Sequence, residues 1–438
     1  MRAPRSYSPP PAQAVAASFW AILAFIALPE LSSAQVVALI DGRVIDGRGQ
    51  VIERGTIVVG DGRIVAVGPA ATVTIPAGAE RVNITGATVI PGLINAHGHL
   101  TGAVGMRNDP NGYTRANLIR QLETYARYGT TTVFSLGDDQ EAAFQLRNEQ
   151  SAGPLQRARV FVAGPVINGT TAEAAREMTN KVAAMKPDLL KIRIDDNLGS
   201  SRKMPEEAWR ATIARAEELK LPVATHIFYL ADAKAALMAG ADIVAHSVRD
   251  VPVDAEFIGE MKARSACYTP TLMREVSTFV YGSTPTWARD PFFLKGAGAS
   301  AGDELSDPAR QVQVQTSPGY KQGLRYKEAL QVARRNLKTL TTAGVRIAMG
   351  TDTGPAGRWQ GFFEHLELEM MVEAGMTPMQ ALVAATGAAA ECHGRGGQIG
   401  SIQTGAAADF VVLDANPLDN IRNTRSIRSV WIAGRALK

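Results

Sequence analysis

The chain has 438 residues, of which 46% are hydrophobic and 20% are charged, so it can hold one large globular domain and a smaller one with a sizeable core. Its 46 Lys and Arg residues against 42 Asp and Glu residues give a net charge of +4, and the basic residues do not form runs. A surface that tracks phosphates needs such runs, so we expect no nucleic-acid partner.

Residues 1–34 have the pattern of a cleaved secretory signal peptide. Arg2 and Arg5 precede an apolar run from Ala14 to Leu28, and the small residues Ser32-Ser33-Ala34 follow. The apolar run is shorter than the roughly 20 residues that span a bilayer. We predict cleavage after this segment, a periplasmic or secreted protein, and no stable membrane insertion after cleavage. A retained N-terminal anchor is the alternative.

Both ends of the remaining chain are rich in short β patterns. Residues 35–90 contain apolar, β-forming runs broken by Asp-Gly pairs at 41–42, 46–47 and 61–62, which are turn signals. Residues 399–438 show the same pattern, and neither piece can bury a β face alone. We predict that the two pieces together form one small composite β-sandwich.

Residues 91–398 alternate strand patterns with helix patterns. Helices are predicted at 114–128, near 171–185, from Pro205 onward and at 231–238, and each separates two apolar strand patterns. Repeated alternation implies a parallel sheet, and eight such strands imply a closed (β/α)₈ TIM barrel of the α/β class.

The segment from Ser277 to Tyr326 is too long for a plain barrel loop. It carries five aromatic residues between Phe279 and Phe293. We predict that this insertion contains helix and overhangs and gates the barrel mouth. The alternative is a structural insertion that packs against the outside of the barrel.

Four of the six histidines follow directly after predicted strands. They lie in the phrases Asn95-Ala96-His97-Gly98-His99, Ala224-Thr225-His226 and Val244-Ala245-His246, and an aspartate follows the last strand in Gly350-Thr351-Asp352-Thr353-Gly354. Parallel barrel strands end at one face, where catalysis takes place. His97 and His99 project to the same side of a strand, and with Asp352 they suit a Zn²⁺ ion. His226 and His246, on adjacent strands, suit a second ion.

With Lys191 on the fourth strand, in Asp188-Leu189-Leu190-Lys191-Ile192, this ordered set resembles the amidohydrolase superfamily. More narrowly, it is similar to the imidazolonepropionase-like, prolidase-like branch of metal-dependent hydrolases. The flanking phrases Val89-Ile-Pro-Gly-Leu-Ile-Asn, Tyr128-Gly-Thr-Thr-Thr-Val and Gly405-Ala-Ala-Ala-Asp-Phe match as well. The resemblance covers nearly the whole chain after residue 35.

The resemblance implies a pair of divalent metal ions as cofactors, with Zn²⁺ expected. It also implies that Lys191 is converted by CO₂ to a carbamate that gives one oxygen to each ion. Asp352 is expected to be both a metal ligand and the catalytic group that transfers the proton. For Lys191 the alternative is a salt-bridge residue, since Arg193 and Asp195 lie close by in the sequence.

Substrate-binding residues are expected at the barrel mouth. Arg193, Tyr229, Arg249 and Tyr268 are candidates for binding a carboxylate, with a structural role as the alternative for each. His365, early in the helix after strand 8, is a candidate for a supporting or substrate role, with a helix-surface histidine paired with Glu369 as the alternative. Many relatives have Glu before the histidine that corresponds to His246 and Gly after it, whereas this chain has Ala245 and Ser247. Family substrates are therefore not transferred.

The two cysteines, Cys267 and Cys392, lie in a predicted strand and at the end of a predicted helix. Pairing is open in an oxidising compartment. We expect two buried free thiols, because the sequence alone does not place these residues near each other.

The leading hypothesis is an exported dinuclear amidohydrolase that hydrolyses a C–N bond of a small substrate, such as a dipeptide or an N-acyl amino acid. The alternatives are a lactonase or esterase with the same metal centre, and a non-catalytic metal-binding protein. A homo-oligomer is left open.

Overall fold

The computed structural model describes residues 36–152 and 154–438, so the predicted signal peptide lies outside the described residues. The strands are β1 (Val37–Ile45), β2 (Val51–Gly60), β3 (Arg63–Pro69), β4 (Glu80–Asn83), β5 (Thr88–Pro91), β6 (Leu93–Gly98), β7 (Thr130–Ser135), β8 (Arg159–Val162), β9 (Leu190–Arg193), β10 (Val223–His226), β11 (Ile243–Ala245), β12 (Cys267–Thr269), β13 (Arg346–Ile347), β14 (Phe410–Leu413), β15 (Ile427–Ile432) and β16 (Arg435–Ala436).

Helices follow most of the strands from β6 to β13. They are α1 (Arg115–Arg127), α2 (Glu141–Glu149), α3 (Ala172–Ala184), α4 (Glu206–Leu219), α5 (Leu230–Met238), α6 (Ala255–Ala263), α7 (Leu272–Val276), α8 (Pro291–Ala297), α9 (Ala299–Ser306), α10 (Pro308–Thr316), α11 (Pro318–Thr342), α12 (Phe362–Glu373), α13 (Pro378–Ala384) and α14 (Gly387–Cys392). Short 3₁₀ helices cover Val280–Gly282 and Ile421–Arg425.

Both ends of the described chain contribute to one mixed sheet. Its strand order is β16-β15-β14-β5-β1-β2-β3, with β4 paired to β1. The Asp61-Gly62 pair turns the chain between β2 and β3, as predicted, but Asp41-Gly42 lies inside β1 at a register shift. Apolar side chains from both pieces pack into one core, in which the rings of Phe410 and Trp431 stack 5.4 Å apart. Each piece supplies the apolar face that the other lacks.

The parallel strands β6 to β13 form the barrel. They fall into two ladders, β6-β7-β8 and β9-β10-β11-β12-β13. Backbone hydrogen bonds bridge the ladders on both sides, from Asp188 N to Val162 O and from Ala96 N to Met349 O, each 2.8 Å long. The predicted fold class, a (β/α)₈ barrel with a small β-sandwich built from both chain ends, is confirmed.

The last two barrel strands are shorter than the sequence predicts. Residues 266–272 predict the seventh barrel strand, but β12 ends at Thr269 and α7 begins at Leu272. Residues 345–350 predict the eighth barrel strand, but β13 covers only Arg346–Ile347. The residues that follow leave the ladder to bring their side chains to the barrel mouth.

The insertion after strand 7 is helical, with α8, α9, α10 and the first turns of α11 inside 277–326. Three of its aromatic residues, Tyr281, Trp287 and Phe293, are buried against Phe362 and Phe363. This packing attaches the insertion to the start of α12. Gating of the mouth by the insertion stays a prediction.

The prediction of two free thiols is wrong. Cys267 and Cys392 form a disulfide, with their Cα atoms 5.8 Å apart and 125 residues between them in sequence. The fold brings the first residue of β12 against the end of α14, a proximity that depends on tertiary structure. None of the helices in the described part of the chain is long and apolar enough to span a membrane.

Candidate metal centre

His97, His99 and Asp352 meet at the open end of the barrel. The ligand atoms of these three side chains lie within 4.8 Å of one another. Asp352 Oδ1 is 2.8 Å from His99 Nε2 and 3.6 Å from His97 Nε2. The fold therefore brings residues 95–99, at the end of β6, close to residues 350–354, which follow β13, as the sequence predicts.

Lys191, on β9, reaches the same point. Its Nζ atom lies 3.0 Å from His97 Nε2, and the side chain is buried. Burial lowers the pKa of Lys191 to about 7, since a charged ammonium is costly away from water. The suggested salt bridge with Asp195 is not formed: Asp195 contacts Arg193 and His226 instead.

His226 and His246 form the adjoining part of the cluster. His226 Nδ1 lies 2.9 Å from His246 Nε2, and the ring centroids of His97 and His246 are 4.5 Å apart. The outer nitrogen of each ring has its own partner. His226 Nε2 is 2.9 Å from Asp195 Oδ2, and His246 Nδ1 is 2.7 Å from Thr271 Oγ1. All six predicted ligands thus lie in one continuous cluster.

The backbone is strained where three neighbouring strands reach this cluster. His246, Thr271 and Asp352 adopt left-handed conformations, with φ values of 72°, 49° and 59°. Non-glycine residues rarely adopt this conformation, and it is enriched at functional sites. The strain turns these residues inward at the ends of β11, β12 and β13.

A buried polar network supports His97 and Asp352 from below. Glu364 Oε1 accepts hydrogen bonds from Asn95 Nδ2 at 2.6 Å and from Thr351 Oγ1 and Thr353 Oγ1 at 2.8 Å each. Asn95 Oδ1 in turn accepts from the backbone N–H of His97 at 3.0 Å. Glu364 therefore ties the end of β6 to the residues on either side of Asp352. Nothing in the local pattern around Glu364 indicated this role.

Arg358 is a second residue that the sequence analysis missed. Its guanidinium contacts the Asp352 carboxylate, and its Nε donates to Ser277 Oγ at 3.1 Å. Burial raises the pKa of Asp352, but Arg358, His99 and His97 outweigh that effect and hold the pKa well below its usual range. Asp352 is therefore a carboxylate surrounded by donors.

The residues present fit divalent metal ions. Burial lowers the pKa of His226 to about 3 and the pKa values of His97 and His246 well below 6.5, with Lys191 also lowering the value for His97. These imidazoles are therefore neutral, which is the form that binds a metal. His97 Nδ1 is buried without a hydrogen-bond partner among the described residues.

The spacing of the donor atoms is also suitable. Two ligands at 2.0–2.1 Å from a tetrahedral ion lie about 3.4 Å apart. Three donor-atom distances lie on either side of this value. The facing nitrogens of His226 and His246 are 2.9 Å apart, and Asp352 Oδ1 is 2.8 Å from His99 Nε2 and 3.6 Å from His97 Nε2.

The predicted substrate residues divide into two groups. Arg193 has an exposed side chain held by Asp195, and Tyr229 is half-buried and donates to Asp196 at 3.0 Å. Arg249 and Tyr268, in contrast, were wrongly placed at the mouth, because both side chains are fully buried.

The partners of these two side chains explain their burial. Arg249 donates to the carbonyls of Ile227 and Ser247 and pairs with Glu275 at 3.1 Å. The Tyr268 hydroxyl accepts from Val248 N–H at 2.8 Å. Both residues hold loops together inside the protein.

His365 also belongs to the interior. One ring nitrogen is 2.9 Å from Thr424 Oγ1 and the other is 2.8 Å from Tyr128 O. Both nitrogens are thus used within the protein, so the substrate role is not supported. The alternative pairing with Glu369 is wrong, because the ring is buried and Glu369 contacts Arg422 and Arg425.

A cavity of about 740 Å³ lies beside the cluster, between the loop after β6, α1 and the insertion. Gln121, Trp359 and Gln360 line it, and in the described chain none of the six cluster residues does. Gln360 separates it from His99, whose carbonyl accepts from Gln360 Nε2 at 3.4 Å. The cavity is therefore a neighbour of the cluster.

Comparisons with known proteins agree with this geometry. An ochratoxinase from Aspergillus niger is 39% identical over 101 residues, which cover 22% of this chain and 20% of that protein. An imidazolonepropionase from Geobacillus sp. is 34% identical over 85 residues, covering 19% of this chain and 20% of that one. Each match thus spans only a fifth of the relative.

The structural similarity is much more extensive. A crystal structure from Bifidobacterium longum, assigned as a prolidase, superposes with a TM-score of 0.75 at 26% sequence identity, over 92% of this chain and 95% of that one. The model of the "Amidohydrolase family" matches residues 88–437, which include the barrel, all six clustered residues and the C-terminal strands. The chain belongs to the amidohydrolase family, as its resemblance predicts, and its similarity to the B. longum structure supports a prolidase-like member of that family.

Proposed function

We propose that this protein is an exported, dinuclear metal-dependent amidohydrolase that hydrolyses the C–N bond of a small substrate, such as a dipeptide or an N-acyl amino acid. The observation that supports this proposal is the convergence of four histidines, Lys191 and Asp352 at the open end of the barrel. The complete ligand set argues against a non-catalytic metal-binding protein, because a decayed site usually loses a ligand.

His97, His99 and Asp352 would hold one ion, and His226 and His246 would hold the other, with Lys191 between them as a carbamate. The bound ions supply Lewis-acid activation of the scissile carbonyl and of water. Asp352 accepts a proton from the attacking water at a carboxylate oxygen and delivers it to the nitrogen of the leaving amine. The strained backbone at Asp352 and its contact with His99 keep that oxygen inside the cluster.

The similarities support an amide substrate. The B. longum structure is assigned as a prolidase, and the relatives matched over short segments are an ochratoxinase and an imidazolonepropionase. The exposed side chain of Arg193 and the half-buried side chain of Tyr229 suit a substrate with a polar end. A dipeptide or N-acyl amino acid combines that end with the bond to be cut.

The test is a metal analysis combined with a substrate panel. Zinc per chain is measured, and turnover is followed on dipeptides, N-acyl amino acids and lactones, before and after chelation and with zinc restored. We expect amide turnover that is lost on chelation and returns with zinc. Full metal occupancy with turnover of lactones alone would assign the esterase or lactonase alternative, and no turnover of any class would favour a metal-binding protein.

Export has separate support. Residues 1–34 have the signal-peptide pattern, and the disulfide between Cys267 and Cys392 is of a kind that persists mainly in oxidising compartments. N-terminal sequencing of the protein from its native host should find Gln35 as the first residue. A Met1 terminus in a cytosolic fraction would contradict export while leaving the hydrolase proposal intact.

A further inference from the structure

Arg358 lies beside the centre in a position that its present contacts do not fully explain. The guanidinium contacts the Asp352 carboxylate, Nη1 also donates to the Asp352 carbonyl at 3.3 Å, and Nε donates to Ser277 Oγ at 3.1 Å. Among the described residues, Nη2 has no hydrogen-bond partner. The side chain is 19% exposed, so part of it is accessible to solvent.

The charges of the neighbouring arginines are balanced in a different way. Arg249 and Arg274 pair with Glu275 at 3.1 and 3.0 Å, and Arg193 pairs with Asp195 at 3.1 Å. Neither acid is one of the six cluster residues. In the described chain, Arg358 forms an ion pair with Asp352 alone. The proposed metal ions would neutralise the negative charge of Asp352. Arg358 would then keep a positive charge with no acid of its own.

We infer that Arg358 binds the carboxylate of the substrate and is a specificity-determining residue of this enzyme. The inference rests on the proposed function and narrows its substrate class to amides that carry a carboxylate near the scissile bond. A guanidinium donates strong hydrogen bonds to a carboxylate because both groups are charged, and Nη2 of Arg358 is free to donate to one carboxylate oxygen. Its contact with Asp352 places the bound carboxylate next to the group that handles the proton.

Ser277 is the second half of this arrangement. It is the first residue of the insertion, and its hydroxyl holds Arg358 Nε and donates to the Arg274 carbonyl at 2.7 Å. The position of the guanidinium is thus set jointly by the insertion and by the loop between β13 and α12. An arginine held in this way loses less conformational freedom when it binds a ligand.

The experiment compares two substrates that differ only in the carboxylate, N-acetylphenylalanine and N-acetylphenethylamine. Values of kcat/KM are measured for the zinc-loaded wild type, Arg358→Gln, Arg358→Lys and the matched control Arg289→Gln, whose arginine is 61% exposed and pairs with Asp303. Zinc per chain and melting temperature are recorded for each. Binding of both compounds is measured by calorimetry, so that the result does not depend on turnover.

Hydrogen bonds to charged groups contribute enough to change affinity by roughly 10- to 100-fold. Arg358→Gln should therefore lower kcat/KM and binding for N-acetylphenylalanine by that factor, mainly through KM, and change the neutral analogue by less than about threefold. Arg358→Lys should fall between the wild type and Arg358→Gln, since it keeps the charge without the planar guanidinium. Arg289→Gln should leave both substrates unchanged.

An equal fall for both compounds in Arg358→Gln would overturn the inference, since it would show that Arg358 only positions Asp352. The inference is also overturned if the ratio of the kcat/KM values for the two compounds does not change in Arg358→Gln. If both compounds are hydrolysed in that case, the proposed function stands. Carboxylate binding that depends on Arg358, without hydrolysis of either compound, would support the inference, and the wider substrate panel would then decide the proposed function separately.

Discussion

The two halves of the candidate metal centre are supported in different ways. The first half is His97, His99 and Asp352, and its support acts on the backbone. Glu364 accepts hydrogen bonds from three side chains, those of Asn95, Thr351 and Thr353. These bonds fix the segment that carries the two histidines and the segment that carries Asp352. The second half is His226 and His246, and its support acts on the imidazole nitrogens, through Asp195 and Thr271.

This difference predicts how each half fails. A network with one common acceptor couples its members, so the loss of Glu364 should disturb every ligand of the first half. Partners that each hold one ring set its tautomer and orientation, so the loss of Asp195 or Thr271 should disturb one histidine at a time. The predictions below test this comparison, from the largest expected effect to the smallest.

Lys191 lies between the halves, and its loss should have the largest effect. Lys191→Ala should lose metal and activity together, because both halves would lack the group that joins them. A short-chain carboxylic acid such as acetate should restore part of the activity by filling the space left by the side chain. Zinc per chain and kcat are measured with Lys181→Ala as the control, since Lys181 is exposed and pairs with Glu177. Full zinc and full activity in Lys191→Ala would show that another group joins the halves.

Asp352→Asn should separate chemistry from metal binding. Asparagine keeps the shape and one oxygen, but it does not accept the proton, so kcat should fall by about 10²–10⁴-fold. The histidines and Lys191 should retain most of the zinc, and KM should change much less than kcat. A near-normal kcat with normal zinc would remove Asp352 from the mechanism and weaken the assignment of the whole site.

The positions of the ligands could be predicted because each follows a β-forming run. Such runs end at one face of a parallel barrel, so His97, His226 and His246 could be placed without tertiary information. The same rule failed for Arg249, which lies four residues after the end of β11, and for Tyr268, which is the middle residue of β12. The direction of the Arg249 side chain depends on the loop that follows the strained residue His246, which the sequence pattern does not show, and Tyr268 packs into the apolar core.

The supporting residues could not be predicted from the sequence, because they act across long separations. Glu364 is 269 residues from Asn95, and Asp195 is 31 residues from His226. A glutamate in a helix and an aspartate in a loop are ordinary at such positions, and only the folded barrel brings them to their partners. The paired cysteines are the same case, since nothing local distinguishes them from buried thiols.

Glu364→Leu tests the network under the first half. The variant leaves three buried donors without their acceptor, so zinc affinity should fall by about 10- to 100-fold, as expected when the support of metal ligands is removed. Chelator competition measures the affinity. Glu364→Gln is the matched control, because it keeps the oxygen that accepts all three bonds, and it should stay within a few-fold of wild type. Equal zinc affinity in the two variants would show that the network does not support the ligands.

Asp195→Asn tests the second half and should have a smaller effect. The asparagine retains an oxygen for Arg193, but its nitrogen does not accept from His226 Nε2, so one histidine loses its orientation. We expect about a tenfold loss of affinity for one ion, with the other ion unaffected, in a titration that follows zinc release in two steps. Loss of both ions in one step would contradict the division of the centre into separately supported halves.

The disulfide lies away from both halves, and its removal should have the smallest effect on catalysis. Cys267 is the first residue of β12, at the opposite end of that strand from the residues that contact His246. The bond links residues 125 positions apart, and such a constraint typically contributes about 2–4 kcal/mol by restricting the unfolded chain.

The double variant Cys267→Ala with Cys392→Ala should therefore lower the free energy of unfolding by that amount in a denaturant titration. Its kcat should stay within about twofold of wild type, because the strand ends that carry the histidines keep their own hydrogen bonds. A fall in kcat larger than tenfold at unchanged zinc content would mean that the lower end of the barrel sets the geometry of the upper end, and the supports of the two halves would then not be independent of the rest of the barrel.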